Sequence, residues 1–363
     1  MYTVPAGTRQ GWGEHMTEQQ LIRTLRTLNE SELFYRAYRL ARSSPESFDA
    51  YLARLDPEEV RRKALIIPEW PETIRQEYKE AVFFTPDRRV GIHVSKHNCY
   101  TPAVPHYHDF FEMFYVLEGQ CVHQVRDRHS RLCAGDICLI QPKVTHSIDV
   151  SDESVIVDVL MRRSTFRHYF YSILQGDNEL AGFFLNTLYS KQGMSYLIFH
   201  TGDDPDFRHT FLDLCMEFFE KKEYYSILLN AIVTRIFVLL LRNHMDHAEL
   251  PDDRLADTRT AIRIAQYLQM NTASATLNGL AAEFHYTPEY ASRLIRQTTG
   301  QTFIRLLTNI RMENAEQLLR DTSLPVADVA ASVGYESSEY FIRAFRRHTG
   351  MTPGAYRLGS HMD

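Results

Sequence analysis

Cysteine is scarce in this chain of 363 residues: Cys99, Cys121, Cys133, Cys138 and Cys215 are odd in number, and no two form a CxxC pair. That pattern excludes a disulfide framework, and the apolar neighbours of these residues lead us to expect reduced, buried thiols. Long hydrophobic runs are lacking as well. The richest, from Ile227 to Leu241, is interrupted by Asn230, Thr234 and Arg235. It falls short of the ~20 apolar residues that a membrane span needs. Met1 to Gly13 has neither a basic stretch nor an apolar core, so no secretory signal is read there and the expected location is the cytoplasm. Lysine is missing from Thr258 to Leu358, which holds eleven Arg against eight acidic residues and is net +3 in a chain whose overall charge is −6. A basic module on an acidic body suits contact with nucleic-acid phosphates, although Arg on solvated helix faces gives the same count.

What is present is ordinary for a globular protein, with 44% hydrophobic and 24% charged residues. The length predicts two domains with an appendage. One pattern occurs twice in the last hundred residues. Leu280-Ala281-Ala282-Glu283-Phe284-His285-Tyr286 is followed by Thr287-Pro288-Glu289-Tyr290 and Arg293-Leu294-Ile295-Arg296, and it closes at Thr299-Gly300. Val329-Ala330-Ala331-Ser332-Val333-Gly334-Tyr335 is followed by Ser337-Ser338-Glu339-Tyr340 and Arg343-Ala344-Phe345-Arg346, and it closes at Thr349-Gly350. Each copy predicts a short apolar helix, a tight turn and an amphipathic helix with an Arg-bearing face. That layout places one helix in a DNA major groove, so two copies read two successive grooves about 34 Å apart.

On these motifs, and on Phe345-Arg346-Arg347, Gly350-Met351-Thr352-Pro353 and Tyr356-Arg357, residues 258 to 358 resemble the tandem helix-turn-helix domain of the AraC/XylS family of bacterial transcription regulators. The spacing predicts seven helices there: Thr258 to Met270, Thr276 to Phe284, Pro288 to Thr298, Thr302 to Arg320, Val326 to Val333, Ser338 to His348 and Pro353 to Arg357. Leu294 and Ile295 face inward on the first reading helix, and Tyr340, Phe341 and Phe345 on the second. By the resemblance, Glu289, Ser292, Arg293, Ser338, Glu339, Ile342 and Arg343 are base readers. Arg suits guanine, Glu suits cytosine and Ile342 suits a thymine methyl. Thr287, Arg296, Arg346 and Arg347 are expected on phosphates.

Three regions precede the reader. Residues 1–80 read as a helical extension, with helices over Glu18 to Leu40 and Ser47 to Leu65 broken at Pro45, Pro57 and Pro68. Residues 81–161 read as short antiparallel strands, among them Val82-Phe83-Phe84, Phe114 to Leu117, Cys121 to Val125, Ile137 to Ile140 and Ser154 to Leu160. Residues 162–247 read as helices over Arg163 to Leu174, Glu179 to Tyr189 and Asp206 to Met245, the last apolar on more than one face and suited to packing or dimerisation. Residues 248–257 are polar and turn-prone, a linker. The fold class is therefore α+β and multidomain: a helical extension, a small antiparallel barrel with helices, and an all-α reader.

The barrel segment resembles the cupin-like sensor of the same family. It carries His106-Tyr107-His108, Glu112 and Gly119, then Gly135-Asp136, Pro142 and His146, although Lys143-Val144-Thr145 replaces the usual glycine of the second motif. In cupin enzymes such residues hold a divalent transition metal. The resemblance implies instead a pocket for a small-molecule effector, a carbohydrate first, lined by His106, His108, Glu112, His146, Phe110 and Tyr115. No resident cofactor and no catalysis are expected; any metal would sit on His106, His108, Glu112 and His146. Double-stranded DNA, RNA polymerase and a second copy of the chain are the implied partners. The alternatives are a metal-dependent cupin enzyme and a DNA-binding or DNA-bending protein without an effector.

Overall fold

The computed structural model describes residues 16–84, 90–163, 165–166, 196–249 and 255–361, and these divide into two compact units, one ending at 249 and one beginning at 255. Half of the expected linker 248–257, most of the expected helix Arg163 to Leu174 and the whole of Glu179 to Tyr189 lie outside the described residues.

The first unit opens with four short helices, α1 (Glu18–Arg26), α2 (Glu30–Ala41), α3 (Pro45–Leu52) and α4 (Pro57–Arg62), where two longer ones were expected. Pro45 and Pro57 start helices rather than end them. At a first-turn position a missing N–H costs nothing, and Ser44 and Asp56 accept the N–H groups of Ser47 and Glu58 as caps. The break between α1 and α2 falls just before Asn29, which exchanges hydrogen bonds with Glu32 in a reciprocal cap. Glu32 then does more. Wholly buried, it accepts the Cys99 N–H at 3.0 Å and pairs with Lys96 Nζ at 2.7 Å, fastening α2 to the strands that follow. Arg39 adds a bond from its Nε to the Tyr100 carbonyl at 2.9 Å and an ion pair with Asp149.

After β1 (Glu77–Tyr78) comes α5 (Glu80–Phe83), where a strand was expected at Val82 to Phe84. Asp109, from a distant turn, accepts the Glu80 N–H at 2.9 Å and starts the helical turn; a tertiary contact overrides local β propensity. The strands β2 (Ile92–Lys96), β3 (Tyr107–His108), β4 (Phe111–Glu118), β5 (Gln120–Val125), β6 (Arg128–Cys133), β7 (Asp136–Ile140), β8 (His146–Asp149), β9 (Val155–Met161) and β10 (Tyr196–His200) form the barrel. One sheet runs β10-β7-β4-β9-β2 and is antiparallel throughout, a second runs β6-β5-β8, and β1 pairs with β3. Between the two larger sheets lie Phe114, Val116, Cys121, Leu132, Cys138, Ile140, Ile148 and Ile156. Four of the five cysteines are buried as expected, but Cys133 is exposed.

The expected long helix Asp206 to Met245 is two: α6 (Pro205–Glu220) and α7 (Tyr225–Asn243). Lys221 and Tyr224 take left-handed φ values of 49° and 64°, and this turn folds α7 back onto α6. By length and composition alone α7 is apolar enough to cross a membrane. Its stripe of Leu229, Val233, Ile236, Phe237 and Leu240 is buried, however, as in a core helix, while Ile227 and Leu228 are exposed.

The second unit has seven described helices: α8 (Leu255–Met270), α9 (Leu277–Glu283), α10 (Pro288–Thr299), α11 (Phe303–Asp321), α12 (Val326–Ser332), α13 (Ser338–Thr349) and α14 (Pro353–His361). Capping and stop residues set these bounds. Thr276, Thr287, Thr302 and Ser337 cap four of them, and Gly300 and Gly350 end α10 and α13 with φ of 67° and 80°.

Candidate DNA-reading helices and barrel pocket

The two copies are built alike from the inside out. Leu280 and Ala281 of α9 and Ala291 and Ile295 of α10 are buried; Val329 and Ala330 of α12 and Phe341 and Phe345 of α13 are their counterparts. Each turn closes with one bond, from Tyr286 N–H to the Ala281 carbonyl at 2.8 Å and from Tyr335 N–H to the Ala330 carbonyl at 2.9 Å. The residue before each tyrosine is left-handed, His285 at φ 55° and Gly334 at 85°. Glycine is required at the second position, because a Cβ there would lie 2.4 Å from the Ala273 carbonyl oxygen.

Within this frame Glu289, Arg293 and Arg296 are exposed on α10, and Glu339, Ile342, Arg343, Arg346 and Arg347 on α13, while Ser292 and Ser338 are half-buried. Thr287 is exposed, but its hydroxyl accepts the Tyr290 N–H at 3.2 Å as the α10 cap. One placement corrects the sequence reading. Tyr340 was expected in the core and is 56% exposed. Phe341 and Phe345 take the inward positions, which turns Tyr340 toward the reading face. Its counterpart Tyr290 is 41% exposed, and Arg293 lies over the Tyr290 ring at 5.3 Å as Arg343 lies over Tyr340 at 6.0 Å. These tyrosines were not among the expected site residues. The signal was the same Tyr-x-x-Arg step in both copies.

Arg311, in the middle of α11, joins the halves. Its guanidinium donates to the Thr272 and Ala273 carbonyls at 2.9 Å each and lies 5.6 Å over the Tyr335 ring, so the turn before α9 and the turn after α12 share one anchor.

In the first unit, His108 of β3, Glu112 of β4 and His146 of β8 converge with His106, which pairs with His146 just before β3. Every imidazole of this set is pinned from behind. The Nδ1 atoms of His106, His108 and His146 lie 3.1, 2.7 and 3.1 Å from the carbonyl oxygens of Val104, Phe110 and Val144. A carbonyl only accepts, so each Nδ1 carries the proton, and Nε2 of a neutral ring is a lone pair. The Nε2 atoms of His108 and His146 stand 2.8 and 3.2 Å from Glu112 Oε2 but make no hydrogen bond of acceptable geometry. Burial pushes the His106 pKa down to about 3, helped by His146, and the His123 pKa of β5 to about 3. Burial alone would raise the Glu112 carboxyl; the facing His108 and His146, as protonated rings, hold it well below its ordinary value. Such a cluster can hold a divalent metal or the hydroxyl groups of a polar ligand.

Two expected pocket residues belong elsewhere. Alternation along β4 sends Glu112 and Phe114 inward and Tyr115 outward, where its ring packs on Phe211 at 4.6 Å and Phe207 at 5.6 Å. Phe110 lies in a side cluster with Phe84 and Leu160 and stacks on the His108 ring at 4.5 Å, so it backs the histidine instead of lining a cavity. Lys143, in the stretch that lacks the usual glycine, is left-handed at φ 69°, and its N–H donates to the His108 carbonyl at 2.7 Å.

Comparison with known proteins gives two family models. One described as an AraC-like ligand binding domain matches residues 91–237, and one described as a helix-turn-helix domain matches 280–359. The chain is 28% identical over 268 residues to the HTH-type transcriptional activator RhaR of Yersinia pseudotuberculosis, covering 70% of this chain and 84% of that one. It is 25% identical over 287 residues to RhaR of Shigella dysenteriae, covering 77% and 96%. Among solved structures, the C-terminal domain of AraT, a response regulator from Geobacillus stearothermophilus, is 41% identical with a TM-score of 0.26, covering 27% of this chain and 82% of that one.

Proposed function

The chain belongs to the AraC-type transcription regulators, two of whose domain models together match more than half of it, and from that premise we propose how its parts divide the work. Residues 258–358 bind operator DNA specifically, with α10 and α13 in successive major grooves. Glu289, Ser292, Arg293, Ser338, Glu339, Ile342 and Arg343 contact bases, and Thr287, Arg296, Arg346 and Arg347 contact phosphates. The observation that carries this reading is the repeated Tyr-x-x-Arg face, which presents Arg293 and Arg343 on two capped helices joined by α11 and Arg311. Tyr290 and Tyr340 hold those guanidinium groups extended before DNA arrives.

Residues 81–161 bind a small polar effector at His106, His108, Glu112 and His146, with a carbohydrate the first class to try. The described residues 16–80 and 196–247 pack around that barrel, and the protein catalyses no reaction. The exposed Tyr224, Ile227 and Leu228 at the start of α7 offer a face for a second copy of the chain, and RNA polymerase is the partner through which a bound activator acts in the cytoplasm. An effector changes DNA binding only by favouring one arrangement of the chain over another. Selection of genomic fragments by the purified chain, with and without a panel of sugars, tests the reading. Enrichment of paired sites whose occupancy shifts with one compound supports it, and retention of fragments without any shared sequence opposes it.

A further inference from the structure

We propose that His200 is an acid-closed latch that straps the chain leaving the barrel, at Glu249, to the open edge of the larger sheet. β10 is the first strand of that sheet, so one of its edges lacks a strand neighbour. Beyond α7 and a short 3-10 turn, Met245–His247, the chain returns to β10, and Glu249 bridges antiparallel to Ile198. The Glu249 N–H donates to the Ile198 carbonyl at 2.8 Å and the Ile198 N–H to the Glu249 carbonyl at 3.2 Å. A pairing this short is marginal on its own. His200, two residues along on the same face of β10, closes it. Its Nδ1 lies 2.7 Å from Asp136 Oδ1 of the neighbouring β7, and its Nε2 lies 3.1 Å from Glu249 Oε1. A carboxylate oxygen accepts, so both ring nitrogens must donate, and only the imidazolium carries two N–H groups.

In its charged form the ring thus ties β7, β10 and the exit segment together. Asp136 is a fixed anchor for it, since its other carboxylate oxygen accepts the Cys133 N–H at 2.7 Å and the residue is buried. Asp136 and Glu249 are the charged groups that face the ring. Partial burial disfavours its charge, but the hydrogen bonds and negative charges of these two carboxylates outweigh that and raise the His200 pKa above its ordinary value. The latch is therefore whole below about pH 6.5 and opens as pH rises through the raised value. Residues 250–254 separate Glu249 from Leu255, where α8 begins. On the regulator reading, on which this consequence rests, the latch sets how much of the linker to the DNA reader is free.

The test needs no DNA, so its failure is separable from failure of the regulator reading. Hydrogen exchange of the full-length chain is followed from pH 6 to pH 8.5 by mass spectrometry of short fragments holding the Glu249 and Ile198 amides, corrected for intrinsic rates. Protection of both should fall ~3- to 10-fold as pH rises, the size expected of two partly exposed ion pairs, while the amides of β4 stay protected. In His200→Gln, whose circular dichroism should match the parent, protection should sit at the low level throughout and no longer follow pH. Glu249→Gln should lose protection at pH 6 and change little at pH 8.5. Parent protection at these amides that is flat or rises with pH overturns the proposal. So does a His200→Gln chain in which they exchange as they do in the parent.

Discussion

A single arginine on the reading face and its neighbour one turn along should fail in different ways. Arg343 lies over Tyr340 in the middle of α13, the helix we place in the groove, and its loss should cost ~1–3 kcal/mol of discrimination at one base step while random DNA binds nearly as before. Arg346, exposed one turn later, should weaken all sequences alike and reduce the salt slope by about one when replaced by Ala. Quantitative binding of specific and scrambled duplexes across a salt series separates the two, and equal losses on both duplexes for Arg343→Ala would sink its assignment as a base reader. In the other unit Glu32 is the residue whose removal should hurt most. Glu32→Ala strands the buried Lys96 and an unpaired Cys99 N–H, and chemical unfolding should show a loss of about 3–5 kcal/mol. A loss below ~1 kcal/mol would mean that the extension is not fastened there.

At the scale of elements, the reader was the most legible part of the sequence, because capping residues, Pro288 and two glycines mark its helix ends locally. The seven expected helices occur with bounds shifted by only a few residues, His361 excepted. Where the outcome depended on packing, the sequence misled: Asp109, 29 residues away, makes a helix of Glu80–Phe83, and the inward Phe341 and Phe345 turn Tyr340 outward. The barrel site was half legible. His106, His108, Glu112 and His146 do converge, whereas strand phase carries Tyr115 to the helix side.

The turn at Gly334 makes a sharp test of the reader. Gly334→Ala must both adopt φ 85° and crowd the Ala273 carbonyl, so it should destabilise the second unit by more than ~1 kcal/mol and weaken DNA binding; an unchanged melting curve would contradict the geometry. The barrel has its own acid response. His123 is neutral in the folded chain down to about pH 3 but titrates near 6.5 when unfolded, so protons favour the unfolded state as pH falls below about 6.5. The slope is at most ~1.4 kcal/mol per pH unit for this group, and His93, lowered to about 4 by burial, adds in the same direction. The urea midpoint of the barrel should therefore fall between pH 7 and pH 5 and fall less in His123→Phe. A flat midpoint would show that His123 is not buried neutral.

Taken whole, the chain joins a tandem helix-turn-helix unit, braced by Arg311, to a barrel whose polar centre is built from imidazoles and one carboxylate. We place effector binding in the first unit and base reading in the second, so the proposed regulation requires both in one molecule. A ligand that changes site occupancy tenfold needs only about 1.4 kcal/mol of preference between two arrangements, well within what one or two hydrogen bonds to the histidine cluster supply. The direct test is occupancy of selected genomic DNA by the full-length chain, titrated with the effector panel and repeated with His146→Ala. The account expects paired sites one helical turn apart, bound with an affinity that one compound shifts in the parent chain and leaves unmoved in the variant. Sites that bind equally well under every compound, or a shift that survives His146→Ala, would contradict it.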